Sequence, residues 1–165
     1  MIIATLFLAA AAAGSCHARG PLPDASCTPG ALNPAVTQAT LAKTICRKAG
    51  YTRSIRPPVS VTSKIKRERL LAYGLRGPAK GYELDHLVSL ELGGAPADVR
   101  NLWPEAYAPT PGAHQKDLVE NDLKARTCRG DITLAEAQRI IATDWLAYYR
   151  QMSPRRQTRA TKGPR

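Results

Sequence analysis

The sequence predicts an α+β fold, mainly helical, built around one β-hairpin and the helix that follows it. Apolar and polar residues alternate over residues 82–91, which is the period of a half-buried strand. A Gly-Gly pair then supplies a turn, and the chain returns over 99–103. A helix is predicted over 113–126. At 165 residues, the chain is long enough for one domain with a modest core.

Further helices are predicted on both sides of the hairpin. An Asn-Pro pair predicts a helix over 34–49, with proline at its first position, and a threonine cap predicts a second over 62–73. The proline-rich stretch 104–112 is expected to be a loop. The sequence Thr-Leu-Ala-Glu at 133–136 is a capping box that opens the last helix. The apolar stripe of that helix is expected in the core: Ala137, Ile141, Trp145 and Tyr149.

Composition divides the chain into five segments. Residues 1–18 are predicted to be a signal peptide, and 19–33, rich in Pro, Gly, Ala and Ser, an irregular arm. Residues 34–81 form a basic helical part. Residues 82–150 hold the hairpin-helix core with the C-terminal helix. Residues 151–165 are a basic tail without apolar periodicity, which is expected to be disordered.

The N-terminal apolar run indicates export. It is too short to span a bilayer and ends in small residues, as a signal peptide does, although no basic segment precedes it; a buried helix is the alternative. Cleavage is expected before Cys16 or after Ala18. Lipid attachment at Cys16 is a further alternative, in which Ala13 stands where leucine is preferred. We therefore expect a secreted or periplasmic bacterial protein without a transmembrane span.

The four cysteines, Cys16, Cys27, Cys46 and Cys128, agree with export. They form no Cys-x-x-Cys pair and have no histidine at zinc-finger spacing, and an oxidising compartment favours disulfides. The sequence leaves the pairing open, with free buried thiols as the alternative. We favour Cys46–Cys128, because both residues lie in segments that look helical and the bond would join the N-terminal part to the hairpin.

The net charge of +11 is unevenly distributed. Residues 1–81 carry 12 Lys/Arg against 2 acids, 82–149 carry 6 against 11, and 150–165 carry 6 against none. Basic flanks around an acidic centre suit a bound polyanion, with the acids left to handle a cation. The candidate phosphate contacts crowd one face of the helix predicted over 62–73, for which a merely solvated face is the alternative: Lys64, Lys66, Arg67 and Arg69.

Three polar residues of the hairpin point to phosphodiester chemistry. Such hydrolysis needs a base, a cation and a group that orients the base. His86 has the ordinary pKa of a base near neutral pH, and Asp85 is a hard oxygen ligand suited to Mg²⁺ or Mn²⁺. Asn101 can hydrogen-bond across the turn and hold the loop that carries the base.

A further metal ligand is expected from the helix after the hairpin. His114, Asp117 and Asn121 share one face of that helix. His114 is the first choice, since an imidazole beside a carboxylate makes a familiar divalent site. Glu120 and Asn121 are the alternatives.

The chain resembles the HNH nucleases of the ββα-metal class in four motifs that occur in the same order: Asp85-His86, Gly93-Gly94, Asn101-Leu102 and His114-x-Lys116. The resemblance implies that His86 is the general base and that Asn101 orients its loop. It implies that Asp85 and His114 bind the metal. A longer, proline-rich insert between Asn101 and His114 departs from the family pattern, and the cysteine pairs around a structural zinc are absent.

The resemblance extends over about residues 28–149, to a group of small exported bacterial proteins with this core. It implies a metal-dependent endonuclease, expected to act as a monomer on DNA, with RNA as a second substrate, and with little sequence specificity. It also implies products with 5′-phosphate and 3′-hydroxyl ends. The first alternative is a non-catalytic, basic nucleic-acid-binding protein on the same scaffold. The second is an envelope protein whose basic tail contacts anionic surfaces.

Overall fold

One sheet, a two-stranded antiparallel hairpin, is present in residues 16–48 and 50–154, which this computed structural model describes. Strand β1 spans Tyr82–His86 and strand β2 spans Leu102–Ala106. The strands pair along their whole length. The sheet has no third strand, so its packing partners are helices and loops.

Helices make up most of the regular structure of the described residues. They are α1 (Tyr51–Ile55), α2 (Val59–Ala72), α3 (Ala113–Arg129) and α4 (Leu134–Gln151). α3 packs against α4, and α2 packs against both strands. Short 3₁₀ helices lie at Gln38–Lys43, Ala79–Gly81, Leu90–Leu92 and Val99–Asn101. The predicted α+β class, mainly helical with one hairpin, is confirmed.

The main core lies between α3, α4 and the segment after β1. Leu123 of α3 is fully buried, as are Ala137, Ile141 and Trp145 of α4, while Tyr149 packs half-buried against them. The predicted core stripe of α4 is therefore confirmed. Its predicted cap is present too: the hydroxyl at 133 accepts a hydrogen bond of 3.1 Å from the N–H at 136.

β1 is shorter than the period-two pattern over 82–91 predicts. From Leu87 onward, successive apolar side chains are buried on opposite sides of the segment. Leu87 packs with Trp103 beside α2, whereas Val88 and Leu92 join the core of α3 and α4. Alternation here reflects burial on two sides of a folded loop, so it does not mark a continuing strand.

The predicted helix over 34–49 is wrong. The chain makes an Asx turn, in which Asn33 Oδ1 accepts the N–H of Ala35 at 3.0 Å, and then the 3₁₀ helix Gln38–Lys43. The Thr40 hydroxyl donates to the carbonyl of Ala35 at 2.9 Å. Side chains that bond nearby backbone in this way compete with the regular α-helical hydrogen-bond pattern.

One disulfide, Cys46–Cys128, joins the N-terminal part to α3, and the other, Cys16–Cys27, closes a loop within the N-terminal arm. The predicted Cys46–Cys128 bond is confirmed, and Cys16 pairs with Cys27, so the alternative of free thiols is wrong. Lipid attachment at Cys16 is contradicted, because the sulfur that would carry the lipid is bonded to Cys27. Cys16 is also buried and its N–H donates to the carbonyl of Ala72 at 2.9 Å, so cleavage after Ala18 would remove part of the folded domain.

Most of the predicted signal peptide (1–18) and most of the predicted basic tail (151–165) lie outside the described residues, which begin at 16 and end at 154. Among the helices that are described, none has the length and apolar character needed to cross a membrane. The two disulfides fit the predicted export, since oxidising compartments preserve such bonds.

Candidate active site

Asn101 shapes the loop between the two strands. Its side chain is fully buried, and its amide Nδ2 donates to the carbonyls of Val88 at 2.9 Å and Ala95 at 3.1 Å. Its Oδ1 accepts the N–H of Val88 at 2.9 Å. One side chain thus satisfies three buried backbone groups that have no strand partner, which is the positioning role predicted for it.

Gly94 permits this close packing. A Cβ atom at Gly94 would lie 1.7 Å from the carbonyl oxygen of Val88 and 2.6 Å from Asn101 Nδ2. Gly93 has a left-handed φ of 78°, as predicted for the turn. Gly93 is therefore needed for its left-handed backbone conformation, whereas Gly94 is needed because any side chain there would clash.

His86 lies at the end of β1, immediately before that loop. Its side chain is buried, and Nε2 is 2.9 Å from the carbonyl oxygen of Pro96. Because a carbonyl only accepts, Nε2 carries the ring proton and Nδ1 keeps the lone pair. Burial lowers the pKa of His86 below 6.5, and the hydrogen bond to Pro96 opposes this only in part. The ring is therefore neutral at neutral pH.

A cleft of about 220 Å³ opens beside His86. Its walls come from β1, the loop after β1, one face of α3 and the region of α1. Five carboxylates line it, with Thr52, Arg56, Ser89 and Asn121 among the other polar groups: Glu83, Asp85, Glu91, Asp117 and Glu120. An acidic cleft with a neutral imidazole on its wall can hold a cation and accept a proton.

Four carboxyl groups in and beneath the cleft resist ionisation: Glu83, Glu105, Asp117 and Glu120. Burial raises the pKa of Glu83 and of Asp117, and the charge of Asp85 raises both further. Burial also raises the pKa of Glu120 to about 8. Beneath the cleft, the fully buried Glu105 has a pKa raised well above its ordinary value, first by burial and then by Asp85. A positive charge bound nearby would lower these pKa values and favour the ionised carboxylates.

Lys116 supplies one positive charge inside the cluster. Its side chain is 1% exposed, and its ammonium lies 2.7 Å from Asp85 Oδ2 and 2.5 Å from Glu120 Oε1. It also donates to the carbonyl of His86 at 2.8 Å. Burial alone would lower the pKa of Lys116, but the carboxylates of Asp85 and Glu120 outweigh it and raise that pKa above its ordinary value.

Of the residues predicted to act as base or metal ligands, the structure brings all but His114 to the cleft. Asp85, His86, Glu120 and Asn121 all line the cleft. His114, the first choice for the metal ligand on α3, does not line it, and instead stacks on the Tyr107 ring with 5.3 Å between ring centroids.

On α3, the positions that reach the cleft start one helical turn after His114. Asp117 is the first of them, ahead of Glu120 and Asn121. It shares the predicted face with His114 and Asn121, so the sequence signal was present but the choice along that face depends on where the helix begins. The two residues predicted as alternatives are therefore better placed than the first choice.

The donor set fits a hard divalent cation. As they stand, no three His, Cys, Asp or Glu side chains in the described part of the chain are arranged to hold a metal ion. The donors that line the cleft are nevertheless carboxylate and amide oxygens, the type preferred by Mg²⁺ and Mn²⁺. Both carboxylate oxygens of the buried Glu105 also lack a hydrogen-bond donor. The oxygen donors of the cleft therefore match the chemistry of a hard cation, and the cation itself stays a prediction.

The four cations of α2 that were predicted to contact phosphate fall into two groups. Arg69 is buried, and its guanidinium donates to the carbonyl of Leu102 at 2.9 Å and to the Thr28 hydroxyl at 3.0 Å. Lys66 donates to the carbonyl of Tyr82 at 2.6 Å. These two cations hold α2 against the hairpin, so their assignment as phosphate contacts is corrected. Lys64 and Arg67 remain exposed.

Sequence reasoning missed several charged groups that the structure gathers here. Glu83 could have been found, since it is two residues before Asp85 in a strand and so shares its face. Glu105 faces Glu83 across the sheet, which depends on the strand register. Arg56 lines the cleft beside His86 and lowers the pKa of that histidine.

Comparison with known proteins adds no assignment to this cleft. No protein-family model matches the chain, and neither does any curated protein or solved structure with which it was compared. A function is therefore inferred from the residues of the cleft and from the order of its motifs along the chain.

Proposed function

We propose that this protein is a divalent-metal-dependent endonuclease that hydrolyses phosphodiester bonds of nucleic acid, DNA in the first place, with little sequence specificity. The observation that carries the proposal is the placement of His86. It is a neutral imidazole, held through Nε2 and set in a cleft whose other charged lining is mainly carboxylate. The order of the Asp-His, Gly-Gly and Asn motifs, which resembles that of HNH nucleases, supports the same reaction.

His86 serves as the general base in this proposal. Its Nδ1 takes a proton from a water molecule, whose oxygen attacks phosphorus while the bond to the 3′ oxygen breaks. The hydrogen bond from Nε2 to the Pro96 carbonyl holds the ring in place and stabilises the imidazolium that forms. Asn101 acts indirectly. Its side-chain amide donates to the carbonyl of Ala95, the residue before Pro96, and so holds the loop that carries the Pro96 carbonyl.

The oxygen donors of the cleft would hold the metal ion. Asp85 is the ligand from β1, and Asp117, Glu120 and Asn121 are the candidates from α3. When bound, Mg²⁺ or Mn²⁺ supplies charge neutralisation at the phosphoryl and leaving oxygens. Among the chain's own residues, Arg56 at the cleft wall contributes a positive charge that would attract a phosphate.

A non-catalytic nucleic-acid-binding protein is the second candidate. The observation in its favour is that the Lys116 ammonium already pairs with Asp85 and Glu120, two of the proposed metal ligands. Such a protein would bind DNA equally well with and without divalent ions. It would also be indifferent to loss of the His86 imidazole.

The test is plasmid nicking by residues 16–165, which keep both disulfides, with Mg²⁺, Mn²⁺ or EDTA. His86→Ala should abolish nicking while DNA binding remains. His114→Ala is the matched control, since this exposed histidine lies outside the cleft, and it should retain nicking. Equal loss in both variants would restore His114 as a ligand. Salt-sensitive DNA binding without nicking under any divalent ion would establish the second candidate.

A further inference from the structure

Lys116 is the most buried Lys or Arg in the described part of the chain, and the proposed reaction does not use it. Its neighbours include three carboxylates from three elements: Asp85 of β1, Glu120 of α3 and Glu105 of β2. Its side chain is 1% exposed, so solvent cannot replace these partners. A buried ammonium persists only when nearby anions compensate its desolvation.

The carboxyl groups around Lys116 outnumber the one ammonium that they face. Asp85 and Glu120 are in direct ionic contact with Lys116. Glu105 is 0% exposed, and neither of its oxygens receives a hydrogen bond. A fully buried carboxyl group without a donor is costly, and a second cation nearby would offset that cost.

The ammonium of Lys116 and a divalent ion would draw on the same oxygens. Asp85 Oδ2 and Glu120 Oε1, which contact the ammonium, belong to side chains that line the cleft. At separations of a few ångströms in a partly dry site, repulsion between an ammonium and a divalent ion is large. Removing the ammonium should therefore favour the metal.

We propose that Lys116 is a resident counter-cation, which keeps the carboxylates of β1 and α3 together in the metal-free protein and competes with the divalent ion for Asp85 and Glu120. It is a positioning residue, since it acts on the site through those carboxylates and through the backbone carbonyl of His86. This inference rests on the metal site of the proposed function, but its test does not depend on cleavage. The competing description, a purely structural ion pair between β1 and α3, predicts unchanged or weaker metal binding when the ammonium is removed.

The test measures binding of Mn²⁺ alone, by electron paramagnetic resonance of the free ion, to wild-type protein and Lys116→Met. Methionine keeps much of the side-chain volume and removes the charge. We expect Lys116→Met to bind Mn²⁺ about tenfold more tightly or more. Arg129→Met is the matched control on the same helix, because Arg129 pairs at 2.6 Å with Asp131, which does not line the cleft, and its side chain is 56% exposed. It should change the affinity by no more than about twofold.

If Lys116→Met does not fold, the same substitution is tested in a Glu105→Gln background. Glu105→Gln removes the buried carboxyl group that lacks a hydrogen-bond donor and nearly keeps its shape, so Lys116→Met added to it leaves one acidic group fewer without a partner. The double variant should bind Mn²⁺ more tightly than Glu105→Gln alone, with circular dichroism confirming the fold of each.

The outcomes separate the two proposals. Tighter binding on loss of the ammonium, in a wild-type protein that also binds Mn²⁺, supports both. Binding that appears only in Lys116→Met supports the counter-cation and overturns the metal-dependent nuclease. Equal or weaker binding in Lys116→Met and in the double variant overturns the counter-cation, whatever the wild-type protein does.

Discussion

At the scale of single residues, adjacent positions of the site receive opposite environments. Burial lowers the pKa of His86 and keeps its ring neutral, and the N–H of that ring donates to the Pro96 carbonyl. Asp85 is one position earlier, and its carboxylate contacts the Lys116 ammonium. A base and a cation ligand can thus come from neighbouring residues, because the strand ends between them and the loop turns the imidazole toward the same cleft.

The lowered pKa of His86 predicts the pH profile of cleavage. A general base works in its unprotonated form, so activity should be lost only as the pH falls through a pKa that lies below 6.5. The measurement is kcat/KM for plasmid nicking between about pH 4.5 and 8 at saturating Mg²⁺. An acidic limb at or above 6.5 would argue against a buried His86 as the base.

At the scale of elements, the loop between β1 and β2 is a built structure and not a simple hairpin turn. Asn101 bonds Val88 and Ala95, and Gly94 makes room for that amide against the Val88 carbonyl. The loop carries Pro96, the partner of His86. The position of the His86 ring therefore depends on tight packing at Gly94, which has no side chain of its own.

Gly94→Ala should disrupt the loop. The added Cβ would lie 1.7 Å from a backbone oxygen, which cannot move without shifting the loop, so we expect a loss of about 2 kcal/mol or more in the free energy of unfolding. Gly77→Ala is the control, because nothing lies within 4 Å of a Cβ there, and it should stay within about 0.5 kcal/mol of wild type. Urea unfolding measures both. Equal stability of the two variants would contradict the packing described for Gly94.

At the scale of the whole molecule, basic residues serve two separate purposes. Arg69 and Lys66 bind backbone carbonyls of the hairpin and the arm, while Lys64 and Arg67 on the same helix face solvent. The net charge of +11 therefore overstates the charge that can contact nucleic acid. The rest is used to hold α2 in place.

Two arginines of α2 should give opposite results. Arg67→Ala should weaken DNA binding equally for all sequences and lower the slope of log K against log salt by about 0.9, with no change in unfolding. Arg69→Ala should cost about 2–4 kcal/mol of stability, because it leaves buried acceptors such as the Leu102 carbonyl and the Thr28 hydroxyl without their donor. Salt titrations of DNA binding and urea unfolding test the pair. An unchanged salt slope in Arg67→Ala would remove α2 from the proposed nucleic-acid surface.

The sequence by itself determined the features that depend on local chemistry. The α+β class, the core stripe of α4 and its threonine cap follow from periodicity and capping, which act over a few residues. The Asp85-His86 pair was found because Asp and His are unfavourable at half-buried positions of a strand. Asn101 was singled out for the same reason, and the structure shows its amide bonded across the loop, while its part in catalysis stays a prediction. The helix over 34–49 failed because threonine hydroxyls and an Asx turn compete there for the backbone.

Only the tertiary structure decided which charged groups meet. Whether His114 or Asp117 reaches the cleft depends on where α3 starts relative to β1, and Glu105 joins the cluster through the strand register. The burial of Lys116 and Arg69 depends on how α3 and α2 pack against the hairpin. In sequence, both are ordinary cations of polar helices. Long-range electrostatics and burial act between segments that are far apart along the chain, so no local pattern encodes them.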